Sequence, residues 1–186
     1  MNNALVVLTG AGISAESGLP TFRDKNGLWA KYNPMELATP DAFARNPELV
    51  HEFYNLRRRA LDAPNIAPNA AHLALARAEK IFGNFLLITQ NVDDLHQRAG
   101  NQKLLPMHGQ LRRQRCHYCG VSGAASGDLS TAMICGGCGR AGGIRPDIVW
   151  FGEMPFFMDE IMAALTAARY FIAIGTSGQV YPAAGF

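Results

Sequence analysis

Three features of this 186-residue sequence predict an α/β protein built on an open parallel sheet. Short continuous apolar runs occur at residues 4–8, 85–89 and 170–174, and each closes on polar or small residues. Helical patterns lie between them. The runs lead into unusual polar sequences, "TGAGIS", "TQNVDDLH" and "GTSGQVYP". Strands buried on both faces of a parallel sheet look like this, because neither face alternates with water.

The first run, Ala4 to Leu8, is read as a strand ending in a glycine loop. The loop, "GAGISAESGLPTFRD" (10–24), begins like a Rossmann-type phosphate loop. Gly10 and Gly12 allow a tight turn and close approach to a pyrophosphate, and a following helix would aim its amides at the phosphates. The third glycine comes late: Ala15 stands at the usual place and Gly18 follows. Taken alone, this broken pattern is equally well read as a plain turn. Residues 70–81 carry Ala, Leu and Ile at helical spacing and stop before Gly83. Residues 85–89 are the second strand, 157–168 a less regular helix and 170–174 the third strand. Alternating strands and helices predict a Rossmann-like open sheet whose ligand lies at the strands' carboxyl ends, with the three polar sequences forming one site.

Residues 112–143 break the alternation. They are rich in Gly, Ser and Cys and contain all four cysteines, as Cys116-x-x-Cys119 and Cys135-x-x-Cys138. Two such pairs at this separation predict a zinc-ribbon insert. Four thiolates fill a tetrahedral shell, so one structural Zn2+ is expected, with no position left for a reactive water. His117 sits inside a complete pair and is not expected to bind. The predicted organisation is thus a Rossmann-like domain of residues 1–111 and 144–186, interrupted by the insert.

Composition narrows the function. Apolar residues make up 48% and charged residues 17%, enough for a sizeable core. The net charge of +2 is too small to suggest a nucleic-acid partner, and the basic runs 57–59 and 112–115 are short. No stretch is long and apolar enough to span a bilayer, and Met1-Asn2-Asn3 lacks the opening of a signal peptide. A reducing, cytoplasmic location is expected, where paired cysteines point to metal rather than disulfides.

Together, "GAGISAESGLPTFRD", "TQNVDDLHQRAG", His108-Gly109, the cysteine pairs, "RPDIVWFGE" (145–153) and "GTSGQVYPAA" (175–184) resemble the sirtuins, in family order and over nearly the whole chain. Sirtuins are NAD-dependent protein lysine deacylases. The resemblance implies NAD as a consumed co-substrate, and nicotinamide, free lysine and 2′-O-acyl-ADP-ribose as products. It implies that Gly10, Ala11, Gly12, Ser14 and Ala15 cradle the pyrophosphate and ribose. Thr21, Phe22 and Arg23 belong to the cofactor-binding loop, with Phe22 near the nicotinamide ribose and Arg23 near the phosphates. Gln90, Asn91 and Asp93 form the nicotinamide pocket, with Asn91 also catalytic. His108 is the general base, for which a pKa near working pH is suited. Gly175, Thr176 and Ser177 form a further NAD-contacting strand end. His51, His72, His96 and His117 are read as core or surface residues.

"LATPDAFARNPELVHEFYNLRRRAL" resembles the sirtuin branch that prefers acidic acyl groups. That implies Ala38, Tyr54 and Arg57 as the acyl pocket. Spacing of three puts Tyr54 and Arg57 on one helical face, where a phenol and a guanidinium can hold a carboxylate. Without the resemblance, a core tyrosine and a solvated arginine would be the simpler reading. Removal of succinyl, malonyl or glutaryl groups is expected, with weaker deacetylation. The acyl-lysine partner is expected to bind as an extended strand near 149–153 and 178–182, with Val149, Phe151 and Gly152 in contact and 149–153 itself extended. The resemblance also places the segments for the adenosine half of NAD after the position of Phe186. Weak NAD binding and an exposed apolar edge at 170–174 are therefore expected. A zinc-bearing binding module without turnover, or an ADP-ribosyltransferase, stands as the alternative.

Overall fold

The computed structural model describes residues 4–22, 30 and 32–186. Its main sheet has four parallel strands: β1 (Leu5–Thr9), β2 (Phe85–Thr89), β3 (Leu104–Pro106) and β7 (Tyr170–Ile174), in the order β3-β2-β1-β7. The chain steps outward from β1 through β2 to β3, then returns on the other side of β1. This reversal opens a crevice at the carboxyl end of β1, between β2 and β7.

The first strand is apolar throughout because helices cover both its faces. Leu5 and Val7 pack with Leu75 of α4 (Ala70–Ile81). Val6 and Leu8 face the opposite way and pack with Ile161 of α6 (Met158–Ala167). The loop after β1 becomes a seven-residue 3-10 helix, Ala11–Ser17, in place of the longer helix the sequence suggests. Gly18 ends it at φ 87° in the left-handed region, which explains the late glycine. Two short helices and a longer one follow: α1 (Pro34–Leu37), α2 (Pro40–Arg45) and α3 (Pro47–Ala60). Each starts with proline after a capping Asn33, Thr39 or Asn46. Helix α5 (Leu95–Ala99) joins β2 to β3.

A second, antiparallel sheet has the order β5-β4-β6, from β4 (Gly109–Cys116), β5 (Ser122–Ala124) and β6 (Ile144–Ile148). Pro146 is tolerated in β6 because that strand is an edge and its register with β4 is irregular there. The cysteines lie between β4 and β6. Strand β7 is an edge of the main sheet and is exposed: Tyr170, Phe171 and Ile172 are 39–47% accessible. No helix among the described residues is long and apolar enough to cross a membrane.

Candidate active site and metal centre

The three polar sequences meet in the crevice. The Gly10 amide donates to Ile174 O at 3.0 Å, and the Gly12 amide to Gly175 O at 2.8 Å. A Cβ on Gly10 would stand 2.7 Å from Gly175 O, and one on Gly12 would stand 2.9 Å from Gly175 Cα. These glycines are therefore required by the approach of two loops. The Gln90 amide joins β2 to Thr9 O at 2.9 Å, and the Gln90 side chain donates to Thr176 Oγ1 at 2.9 Å.

A cleft of about 450 Å³ opens over these loops. Gly10, Ala11, Gly12, Thr21, Phe22, Gly175, Thr176 and Ser177 line one part of it. Gln90, Asn91 and His108 also line it, as do Ala38, Tyr54, Arg57, Val149, Phe151 and Gly152. Ser14 and Asp93 lie in a smaller pocket of about 80 Å³ that shares Ala11, Phe22, Arg57 and Asn91 with the cleft. Ala15 lines neither and is exposed. Arg23 lies outside the described residues.

Asn91 is 3% exposed. Its amide nitrogen donates to Gly10 O (3.1 Å) and Ser14 Oγ (3.2 Å), and Ser14 in turn donates to Asp93 Oδ2 (3.0 Å). The Asn91 Oδ1 has no partner among the described residues. A buried orphan acceptor between phosphate-loop glycines and a carboxylate suits a ligand with amide or hydroxyl donors, as NAD has. Burial raises the Asp93 pKa, opposed by hydrogen bonds from the Leu95 amide and Ser14.

His108 Nδ1–H donates to Gln90 O at 3.1 Å. That bond fixes the tautomer and leaves Nε2 as the basic nitrogen. Burial lowers the His108 pKa, and the Gln90 bond opposes this only in part. The imidazole is thus neutral and proton-accepting at neutral pH.

Tyr54 is 2% exposed, and burial raises its pKa, so it stays a neutral phenol. Arg57 is partly buried, with its guanidinium 5.0 Å from the Phe22 ring centre and 5.8 Å from that of Tyr54. Among the described residues it has no carboxylate within ion-pair distance. Burial lowers its pKa, countered in part by the Asp93 carboxylate.

The stretch 149–153 corrects the sequence reading. The strand ends at Ile148, and 149–153 turns away. The cause is Glu153. Its carboxylate accepts the Trp150 amide at 2.8 Å, and its own amide returns to Trp150 O at 3.0 Å. The amides of Val149 and Phe151 are committed to His108 O and Ala38 O, both at 2.9 Å. Glu153 also takes bonds from Arg115 (2.8 Å) and from Arg145 (2.7 and 2.9 Å), whose side chain is 1% exposed. Sequence reasoning missed Arg145, Trp150 and Glu153 as one unit. The available signal was an arginine in the stretch "IRPDIVW" with an acid eight residues on.

The other four histidines have structural positions. His51 donates to Ile144 O, His72 caps α4, His96 bonds Thr9, and His117 stands outside the sulfur cluster.

Cys116, Cys119, Cys135 and Cys138 place their sulfurs within 4.8 Å of one another. Two pairs are separated by 3.8 and 3.6 Å. A tetrahedron with Zn–S bonds of about 2.3 Å has edges of about 3.8 Å, so the four thiols fit one zinc. The Gly120 and Gly139 amides close each pair's turn onto Cys116 O and Cys135 O.

The model of the Sir2 family matches residues 10–182. An NAD-dependent protein deacylase of Bdellovibrio bacteriovorus is 61% identical over 183 residues, covering 98% of this chain and 78% of the relative. A Sir2 homologue solved in complex with NAD superposes with a TM-score of 0.87 at 45% identity, covering 98% of this chain and 71% of that one. A Sir2 variant solved with a deacetylated p53 peptide and 3′-O-acetyl ADP ribose gives 0.78 at 36% identity, covering 97% and 74%. A family match over nearly the full length, joined to identities above one half, decides the assignment: the chain belongs to the Sir2 family, the sirtuins.

Proposed function

We propose that this chain is an NAD-dependent protein lysine deacylase that prefers acidic acyl groups, succinyl and malonyl above acetyl. The observation that carries the preference is that Ala38, Tyr54 and Arg57 share one cleft with His108, and that Arg57 has no carboxylate partner among the described residues. A partly desolvated guanidinium beside a neutral phenol favours an anionic guest. An acetyl group would leave both without a partner, which costs binding.

NAD, when bound, supplies the electrophilic ribose carbon that receives the acyl oxygen. The chain's residues hold and deprotonate. Asn91 and Asp93 fix the nicotinamide end, and Gly10, Gly12 and Gly175 admit the pyrophosphate. His108 Nε2 accepts a hydroxyl proton, while its Nδ1–H stays on Gln90 O. The zinc takes no part in the chemistry and clips the insert. The acyl-lysine peptide lies across 149–153 and 178–182. Because the amides of 149–151 and 153 are already committed, the first segment offers the peptide mainly carbonyl acceptors.

The test compares succinyl-lysine and acetyl-lysine peptides of one sequence, with wild type and Arg57→Met. Loss of the charge should lower kcat/KM for the succinyl peptide at least tenfold and spare the acetyl peptide. Equal loss on both would remove the carboxylate clamp from this account.

A further inference from the structure

Trp150 Nε1 donates to the Tyr54 hydroxyl oxygen at 3.0 Å. An indole N–H can only donate. The phenol oxygen must therefore accept there, and its own proton has to point elsewhere. Among the described residues no acceptor meets that proton, and Tyr54 lines the cleft. A buried donor without a partner is costly, so a guest that accepts from it gains. The accepted bond also polarises the phenol O–H and strengthens it as a donor.

Trp150 is held on three sides. Its amide donates to Glu153 Oε2, its Nε1 to Tyr54, and one face is covered by the Arg145 guanidinium, 3.2 Å from the ring centre. Arg145 is itself fixed by both Glu153 oxygens and by Ile148 O at 2.7 Å. The neighbours Val149 and Phe151 are tied to His108 and Ala38. One short segment thus couples the base to the acyl end of the cleft.

We propose that Trp150 determines acyl specificity by fixing the direction of the Tyr54 hydroxyl proton, making Tyr54 a committed donor to an acyl carboxylate; this rests on the acidic-acyl reading above. Trp150 is a positioning residue, acting through Tyr54.

The experiment measures kcat and KM on matched succinyl-lysine and acetyl-lysine peptides for wild type, Trp150→Phe, Tyr54→Phe and the double variant. Trp150→Phe is expected to lower the succinyl-to-acetyl ratio of kcat/KM about tenfold, chiefly through the succinyl KM. In the Tyr54→Phe background it should lower that ratio no further. Equal loss on both substrates, or the same drop in ratio without the Tyr54 hydroxyl, overturns the proposal. A wild-type enzyme with no succinyl preference overturns it together with the acidic-acyl reading. A preference that Arg57→Met abolishes and Trp150→Phe leaves intact overturns this proposal alone. If Trp150→Phe does not fold, benzothienylalanine at position 150 keeps the ring shape and removes only the donor, with the same outcomes decisive.

Discussion

At His108 one hydrogen bond decides which nitrogen can take a proton. Gln90 O holds Nδ1–H, and burial keeps the ring from charging, so Nε2 is a base below the ordinary imidazole range. The sign follows directly. As the proposed base, His108 acts as the neutral ring, so kcat/KM is expected to fall on acidification, with its acidic limb below the ordinary imidazole range. A limb above that range contradicts the assignment, as does a His108→Ala enzyme with near-normal deacylation. Asn91 was legible from the long motif "TQNVDDLHQRAG" and His108 from the short pair His108-Gly109 by its place in family order, and both line the cleft. The Arg145–Glu153–Trp150–Tyr54 set was not legible. Its partners come from β6, a turn and α3, and the Trp150–Tyr54 bond spans 96 positions. Burial made the phenol a hydrogen-bonded group, and burial is a property of the fold.

Helix α3 has two working faces. Tyr54 and Arg57 face the cleft. Along another side, Glu48 accepts from Thr131, His51 donates to Ile144 O, and Asn55 makes a reciprocal pair of bonds with the Leu129 backbone. Arg58 continues the series to Gly127 O and Leu111 O. The cysteine-bearing segment is therefore the bed on which α3 lies. Chelation is predicted to release one zinc per chain and to speed hydrogen exchange in α3 as well as around the cysteines. Metal loss with α3 protection unchanged would separate the two. Helix α4 and strand β2 were readable to the residue from apolar spacing, since their buried faces set that spacing. Helices α1 to α3 had their start signals in Asn-Pro and Thr-Pro pairs, yet each of the first two is too brief to show a period. Residues 149–153 were misread because β-branched and aromatic residues favour strands, while the Glu153 carboxylate, a tertiary feature, closes a turn.

For the whole molecule, the reversal of strand order puts the ends of β1, β2 and β7 around one crevice, and the antiparallel sheet with α3 forms its opposite wall. A reaction joining a dinucleotide to an acyl-lysine needs such a place between two units, where both substrates enter and water is displaced. The proposed function makes one central claim: this cleft consumes NAD only when an acyl-lysine is present. The direct measurement is nicotinamide release by the zinc-loaded chain at saturating NAD, with and without a succinyl-lysine peptide. The account predicts release that depends on the peptide and matches the free lysine formed, one for one. No release from folded protein, or release at the same rate without peptide, would contradict it.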